Sequence, residues 1–257
     1  MILRLVFALL LLLASSAWAA PAYVQVWVGG DYINVAPGTV ASASAGSATT
    51  TGNMIAVGCI INSSDDASPN GVTVTDQASN TYTASAHIAD TSGRGIMGFY
   101  ALNITGHATN VVTCHTTLTT AYVDVIAIEV SGIATSNALD ATATGTRYNA
   151  ATPVTSGTFT TAQASEIAIA FVGRSHIESA NDFTAGTGYT LPAGGRARYL
   201  AESEYTEAVQ YQVFSSVQTN VTASMDFTGP GAGAGESMVV MTFKAPSSSP
   251  RHRAVIQ

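Results

Sequence analysis

Lysine is almost absent from this chain: Lys244 is the sole one in 257 residues. Basic residues number 9 against 16 acidic ones, charged residues make up 10%, and the net charge is −7. A surface so poor in cations lacks the density of phosphate contacts that nucleic acid requires. It is equally unsuited to an anionic membrane surface, so neither nucleic-acid partners nor membrane insertion are expected. Cysteine is scarce as well, with Cys59 and Cys114 the whole complement. The long apolar run Leu5 to Ala14 is about half the roughly 20 residues a membrane-spanning helix needs. There is no Gly-x-Ser-x-Gly elbow, and the five histidines make neither His-x-His nor His-Glu-x-x-His. An α/β serine hydrolase and a histidine-built zinc site therefore have no sequence support.

The apolar run belongs to a leader. Arg4 precedes it and Ala17-Trp18-Ala19 follows as a small-x-small site, the pattern of a secretory signal cut after Ala19. No cysteine stands directly after the cut, which argues against a lipid anchor. Removing residues 1–19 takes away Arg4 and brings the net charge from −7 to −8. The rest, 20–245, is of a length one all-β domain fills. The tail 246–257 (PSSSPRHRAVIQ after Ala245) has no periodicity and reads as disordered. Localisation is expected to be secreted, extracellular or periplasmic.

What is abundant is Thr, Ala, Ser, Gly and Val, a mixture that favours strands and tight turns over helices. Tyr23 to Val28 alternates with period two; Gly29-Gly30-Asp31 then predicts a turn with a possible hairpin into Tyr32 to Val35. Val40 to Thr51 reads as a weak edge strand or a loop. The organising stretch is Gly52 to Asn62, GNMIAVGCIIN, apolar on both parities, so both its faces should be covered. Val72 to Asp76 and Thr81 to Thr83 flank an Asx-type turn at Asp76 and Asn80. Further strands are expected at 96–104, 110–116 and 122–130.

An echo of the organising stretch follows at Ala164 to Arg174, ASEIAIAFVGR. After it come Gly188-Tyr189-Thr190 and strands at 199–206, 208–214, 221–227 and 237–243. Strands at roughly ten-residue spacing with Gly and Asn turns predict an antiparallel β-sandwich, jelly-roll-like, built from two similar halves. Those halves span about 40–133 and 155–245. The link 131–156 carries Leu139 and Val154, which suit a core, and one compact unit is the favoured arrangement.

These strand and turn motifs carry a resemblance. VTDxxxNTYT (Val74 to Thr83), FYALNI (Phe99 to Ile104), NVVTC (Asn110 to Cys114), IEVSGI (Ile128 to Ile133) and MVVMTFK (Met238 to Lys244) resemble a group of secreted bacterial and phage-associated duplicated β-sandwich domains. Such domains are often attached to larger surface or tail proteins. The resemblance implies fold and location; it implies no activity and carries no catalytic residue across.

Several constellations are candidates for chemistry. Glu202, Glu204 and Glu207 approach the Glu-x-Asp-x-x-Glu strand of jelly-roll glycosidases, where two carboxylates about 5–5.5 Å apart give retaining hydrolysis. Glu204 stands where that pattern has Asp, and Glu207 needs a bulge to join the other two. The alternative is a solvated strand face beside a turn. Asp65 and Asp66, or Asp76 and Asn80, offer hard oxygens for calcium, though plain turns explain them too; no other cofactor is expected. Trp27, Tyr32 and Tyr148, with Tyr23, Tyr189 and Tyr199, suit a sugar-stacking platform or a core. Asp124 and Glu129 lie within an apolar strand and need partners if buried, with Arg94, Arg147 and Arg174 the candidates. Cys59 and Cys114 read as a disulfide, as free buried thiols, or as a metal or nucleophile site.

The leading expectation is a secreted, non-catalytic β-sandwich for extracellular binding, surface attachment or assembly, with a polysaccharide or a surface protein as partner. The alternatives are a jelly-roll glycoside hydrolase using Glu202 and Glu207, and a structural subunit that self-associates through exposed strand edges such as that of Val40 to Thr51.

Overall fold

The computed structural model describes residues 19–35, 40–63, 71–89, 94–117, 120–148, 153–175, 183–199, 205–227 and 235–247. Residues 1–18 of the expected leader 1–19, Asp65, Asp66, His176, Glu202, Glu204 and residues 248–257 of the expected tail 246–257 lie outside the described residues. The described chain is all-β and antiparallel. Strands are numbered along the chain: β1 (Ala22–Val35), β2 (Val40–Ser44), β3 (Met54–Ser63), β4 (Val72–Asp76), β5 (Thr83–Ala89), β6 (Arg94–Ala101), β7 (Val111–Thr116) and β8 (Thr120–Ser131). There follow β9 (Leu139–Tyr148), β10 (Val154–Thr155), β11 (Glu166–Ser175), β12 (Phe183–Ala185), β13 (Arg196–Tyr199), β14 (Tyr205–Phe214), β15 (Ser224–Phe227) and β16 (Gly235–Lys244).

They form four sheets. Two have five strands, in the orders β1-β8-β3-β6-β5 and β13-β14-β11-β16-β9; two have three, β2-β7-β4 and β10-β15-β12. The five-stranded sheets lie face to face in the middle, and a three-stranded sheet covers the outer face of each. Three cores separate these layers. Along β3, Ile55, Val57, Cys59 and Ile61 face the core shared with Val72, Val74, Val112 and Cys114 of the small sheet. The alternate residues Met54, Ala56 and Ile60 face Ile167, Ile169 and Phe171 of β11. On the far side of β11, Ala168, Ala170 and Val172 meet Val154, Phe183 and Met225.

A strand covered on both faces must be apolar on both parities, and that is why Met54 to Ile61 reads as an unbroken run. β-Branched Val and Ile supply half of it, suiting a pleated surface. Glycine sets how closely the central sheets approach. A Cβ built on Gly58 would lie 2.7 Å from the Phe171 ring, so the ring packs into the notch the missing side chain leaves.

Two expectations about the chain path are corrected. Gly29-Gly30-Asp31 does not turn the chain: β1 runs on as one strand beside β8, with register shifts at Tyr23/Gln25 and Gly30/Tyr32. Gly30 adopts φ 132° and a Cβ there would meet Asp124 Oδ1 at 2.5 Å, so the glycines make a bulge. The segment expected as a link contains β9, which pairs along β16 from Leu139↔Phe243 to Tyr148↔Gly235. Val40–Ser44 is an edge strand, paired with β7 only. The turns at the other end use residues that tolerate left-handed backbone, among them Asn103, Asn137 and Asn220 at φ 50–52°.

Candidate functional site

Several of the buried charged groups lie towards the ends of the strands. At the end of β8, Glu129 is fully buried and accepts from Gln25 Nε2 at 2.6 Å, Asn53 Nδ2 at 2.6 Å and the Thr50 backbone N–H at 2.8 Å. Three donors from two segments converge on one carboxylate, which ties β1 and the loop before β3 to β8. Its partners are neutral groups. Arg147 and Arg174, expected as partners for Asp124 or Glu129, instead serve Glu236. Asp124 is 3% exposed opposite Gly30 in the β1–β8 register, and the Arg94 side chain lies outside the described ones.

Asp76 closes the β4 turn. Its two oxygens accept from the Asn80 backbone N–H (2.8 Å), Asn80 Nδ2 (2.7 Å), Tyr82 Oη (3.0 Å) and Asn110 Nδ2 (3.0 Å). Each of those bonds occupies an oxygen that a cation would need and aims a positive hydrogen at it. Burial first, and then the Asp76 carboxylate, hold the Tyr82 hydroxyl well above its ordinary range, so it stays a donor. Among the described residues no group of three or more His, Cys, Asp or Glu side chains is arranged for a metal ion. His115 bonds Thr75 Oγ1 through Nε2 at 2.7 Å on an exposed face, while its neighbour Cys114 points into the core.

Cys59 and Cys114 form a disulfide, with Cα atoms 6.1 Å apart. Both are fully buried, and the bridge joins β3 of the central sheet to β7 of the covering sheet. Trp27 is 4% exposed and belongs to the same core. A ring that is to stack on a sugar must be open on one face, so Trp27 is corrected from platform to packing. The Tyr32, Tyr148 and Tyr199 side chains lie outside the described ones. Tyr23 stacks on Tyr211 with ring centroids 5.2 Å apart, joining the two central sheets. Glu207 is 1% exposed on β14, on the face that carries Val209 into the central core.

Two charged groups were not singled out by spacing. At the start of β11, the Glu166 carboxyl is pushed up to about 7, by burial first and then by the nearby Asp140 carboxylate; the Gln163 N–H and Lys244 act the other way. Lys244 Nζ lies 3.4 Å from Asp140 Oδ1, and Gln163 N–H donates to Glu166 Oε1 at 3.0 Å. The signal in the sequence was Glu166 itself, a carboxylate opening a strand with no polar face.

The second group is a row across the other end of the same sheet. Arg147, Glu236, Arg174 and Thr206 are successive cross-strand partners on β9, β16, β11 and β14. All four share the face that carries Val240 and Val172 into the core with β15. Arg147 grips Glu236 with two bonds, Nη2 to Oε1 at 2.9 Å and Nε to Oε2. Arg174 Nε stands 3.3 Å from Glu236 Oε1. The guanidinium carbon of Arg174 lies 4.9 Å from the Phe227 ring centroid and that of Arg147 5.9 Å, within the range of cation–π attraction. Arg174 and Glu236 are 2% and 1% exposed.

No protein-family model matches this chain. No curated protein matches it either. Among solved structures it is similar to a chain of Red Clover Necrotic Mosaic Virus, at 12% identity over 90% of this chain and 82% of that one. The TM-score is 0.23, too low for the likeness to carry an argument.

Proposed function

We propose that the chain is an exported, non-catalytic protein made of two jelly-roll-like sandwiches in tandem, and that it works outside the cytoplasm by binding or assembly. The observation that carries the non-catalytic reading is the use of the buried and half-buried carboxylates. Glu129, Asp76 and Glu236 each accept bonds from the groups that hold strands together. Groups arranged this way fix structure; a reacting pair must keep an oxygen open to substrate.

The tandem reading is supported by strand order. Raising every number in β1-β8-β3-β6-β5 and β2-β7-β4 by eight reproduces the second pair of sheets. Within the first pair, β1–β8, β2–β7 and β3–β6 are the nested partners of one long hairpin rolled over itself, as in a jelly roll. The arrangement departs from that pattern at β5, which joins β6 instead of β4. On this reading Gly52 matches Ser165, each at positive φ, and Cys59 matches Val172. Setting the echo one residue earlier, at Ala164, would exchange its two faces. Export is supported by the leader pattern and by the buried disulfide, which persists in oxidising compartments.

A polysaccharide array probed with the full exported chain tests the binding reading, with reducing ends assayed in parallel. Retention on one class of glycan without release of reducing ends is the expected result. Hydrolysis of any glycan overturns the non-catalytic reading; failure to bind any glycan turns it towards a surface protein or self-assembly through edge strands such as β2.

A further inference from the structure

We propose that the row Arg147–Glu236–Arg174 is a binding site for an oxyanion, a carboxylate, phosphate or sulfate group, at the end of the second pair of sheets. Two guanidinium groups share one carboxylate there, so the row carries one net positive charge. Arginine cannot shed that charge by losing a proton. Arg174 is buried, and its Nε and Nη1 have no hydrogen-bond partner in the structure. Glu236 Oε1 is close enough to Nε for charge attraction but is already bonded to Arg147 Nη2. A buried cation with unfilled donors is costly unless something supplies acceptors. Phe227 lies over the guanidinium faces of both arginines, so a ligand reaches Arg174 through its in-plane N–H donors. Nε and Nη1 lie on different edges of the guanidinium, so an oxyanion oxygen takes a single charge-assisted bond from the Nη1 side. Entry is from the β9 side, where the Arg147 side chain is 13% exposed.

The fold itself does not require these charges. Nine residues beyond Gly52 on β3 stands Ile61, paired with Val123 of β8, and both are buried in an apolar core. Nine residues beyond Ser165 on β11 stands Arg174, paired with Glu236. The same station is closed by hydrocarbon in the first pair of sheets and by an ionic row in the second. The inference stands apart from glycan binding, since an assembling subunit has equal use for such an ion.

The test is calorimetric titration of the full chain with sodium phosphate, sodium sulfate, sodium acetate and sodium glucuronate, each at constant ionic strength made up with chloride. Saturable binding of at least one is expected, and the arms separate phosphate or sulfate from carboxylate ligands. Arg147→Lys, which keeps charge but loses the paired bonds, should weaken binding about ten- to a hundredfold. Glu236→Gln leaves two unopposed guanidinium groups, so it should bind the same anion at least about tenfold more tightly and recover lost thermal stability when the anion is added. Because Arg174→Met removes a buried group and risks misfolding, the other two variants decide the outcome. Absence of saturable binding to wild type means water fills the Arg174 donors, and the proposal fails. It fails too if Glu236→Gln is destabilised with no gain in affinity, because that marks a purely structural ion pair.

Discussion

Removing the Cys59–Cys114 bridge tests both the sandwich and its coupling to the rest of the molecule. The bridge spans 55 residues of sequence. The chain-entropy relation for a loop of that length gives about 14 cal/mol/K, or about 4 kcal/mol at 25 °C. Cys59→Val with Cys114→Ala is the least disruptive replacement, because valine already stands at the matching place on β11. The shortened side chain at 114 adds about 1 kcal/mol of packing loss. Equilibrium urea unfolding of the oxidised protein and the double variant should therefore differ by about 4–5 kcal/mol. We expect one transition in both cases. Unfolding either pair of sheets strips Met54, Ala56, Ile167 and Phe171 of the surface that covers them, so neither pair keeps its stability alone. A difference under about 1 kcal/mol would refute the loop-entropy reasoning. Two transitions, only one of them shifted, would refute the shared-core coupling.

Other substitutions probe the remaining contacts. Gly58→Ala puts a methyl group against the Phe171 ring and should cost about 1–3 kcal/mol in urea unfolding; Phe171→Leu in the same chain should recover part of it. Glu129→Ala leaves the Gln25, Asn53 and Thr50 donors unmet and should cost about 3–5 kcal/mol, while Glu129→Gln costs less. Glu166 gives a pH dependence of definite sign. Its carboxyl titrates near 7 when folded and at the ordinary carboxylate value when unfolded, so its stabilising contribution is present in full below about pH 4 and is lost as pH rises through 7. The full shift corresponds to about 3 kcal/mol, and screening beside Lys244 and solvent reduces this to about 1–2 kcal/mol. Thermal melts between pH 5 and 8.5 should show that decline, and Glu166→Gln should flatten it; an unchanged slope in the variant refutes the assignment.

Fold class was legible because the strands obey their period and the turns use Gly, Asn and Asp. The doubly apolar stretch at Met54 announced a strand covered on both sides, and the structure supplies both covers. What that stretch hid was its own register: with no polar face, nothing in it says which parity meets which layer. β9 escaped notice because Leu139–Tyr148 is mostly Ala, Thr and Gly, residues that also fill loops, and its pairing depends on β16 a hundred residues later. The arginines were noticed and given the wrong partner. Glu129 sits in the apolar strand and drew attention, whereas Glu236 follows a glycine-rich stretch and looked like the end of a loop. Three-dimensional register, set by β11 and β9 flanking β16, decides the pairing, and no local pattern encodes it.

Strand direction gives the molecule a front and a back. Ala22 at the head of β1 pairs with Ser131, and Lys244 at the foot of β16 pairs with Glu166. Ala134 N–H donates to the Lys244 carbonyl and Lys244 N–H to that of Ala138, which places both chain exits side by side. The row of Arg147, Glu236 and Arg174 lies at the opposite pole. A protein anchored through either exit, to a support, a cell surface or a neighbouring domain, therefore stands with its cationic row facing away from the anchor.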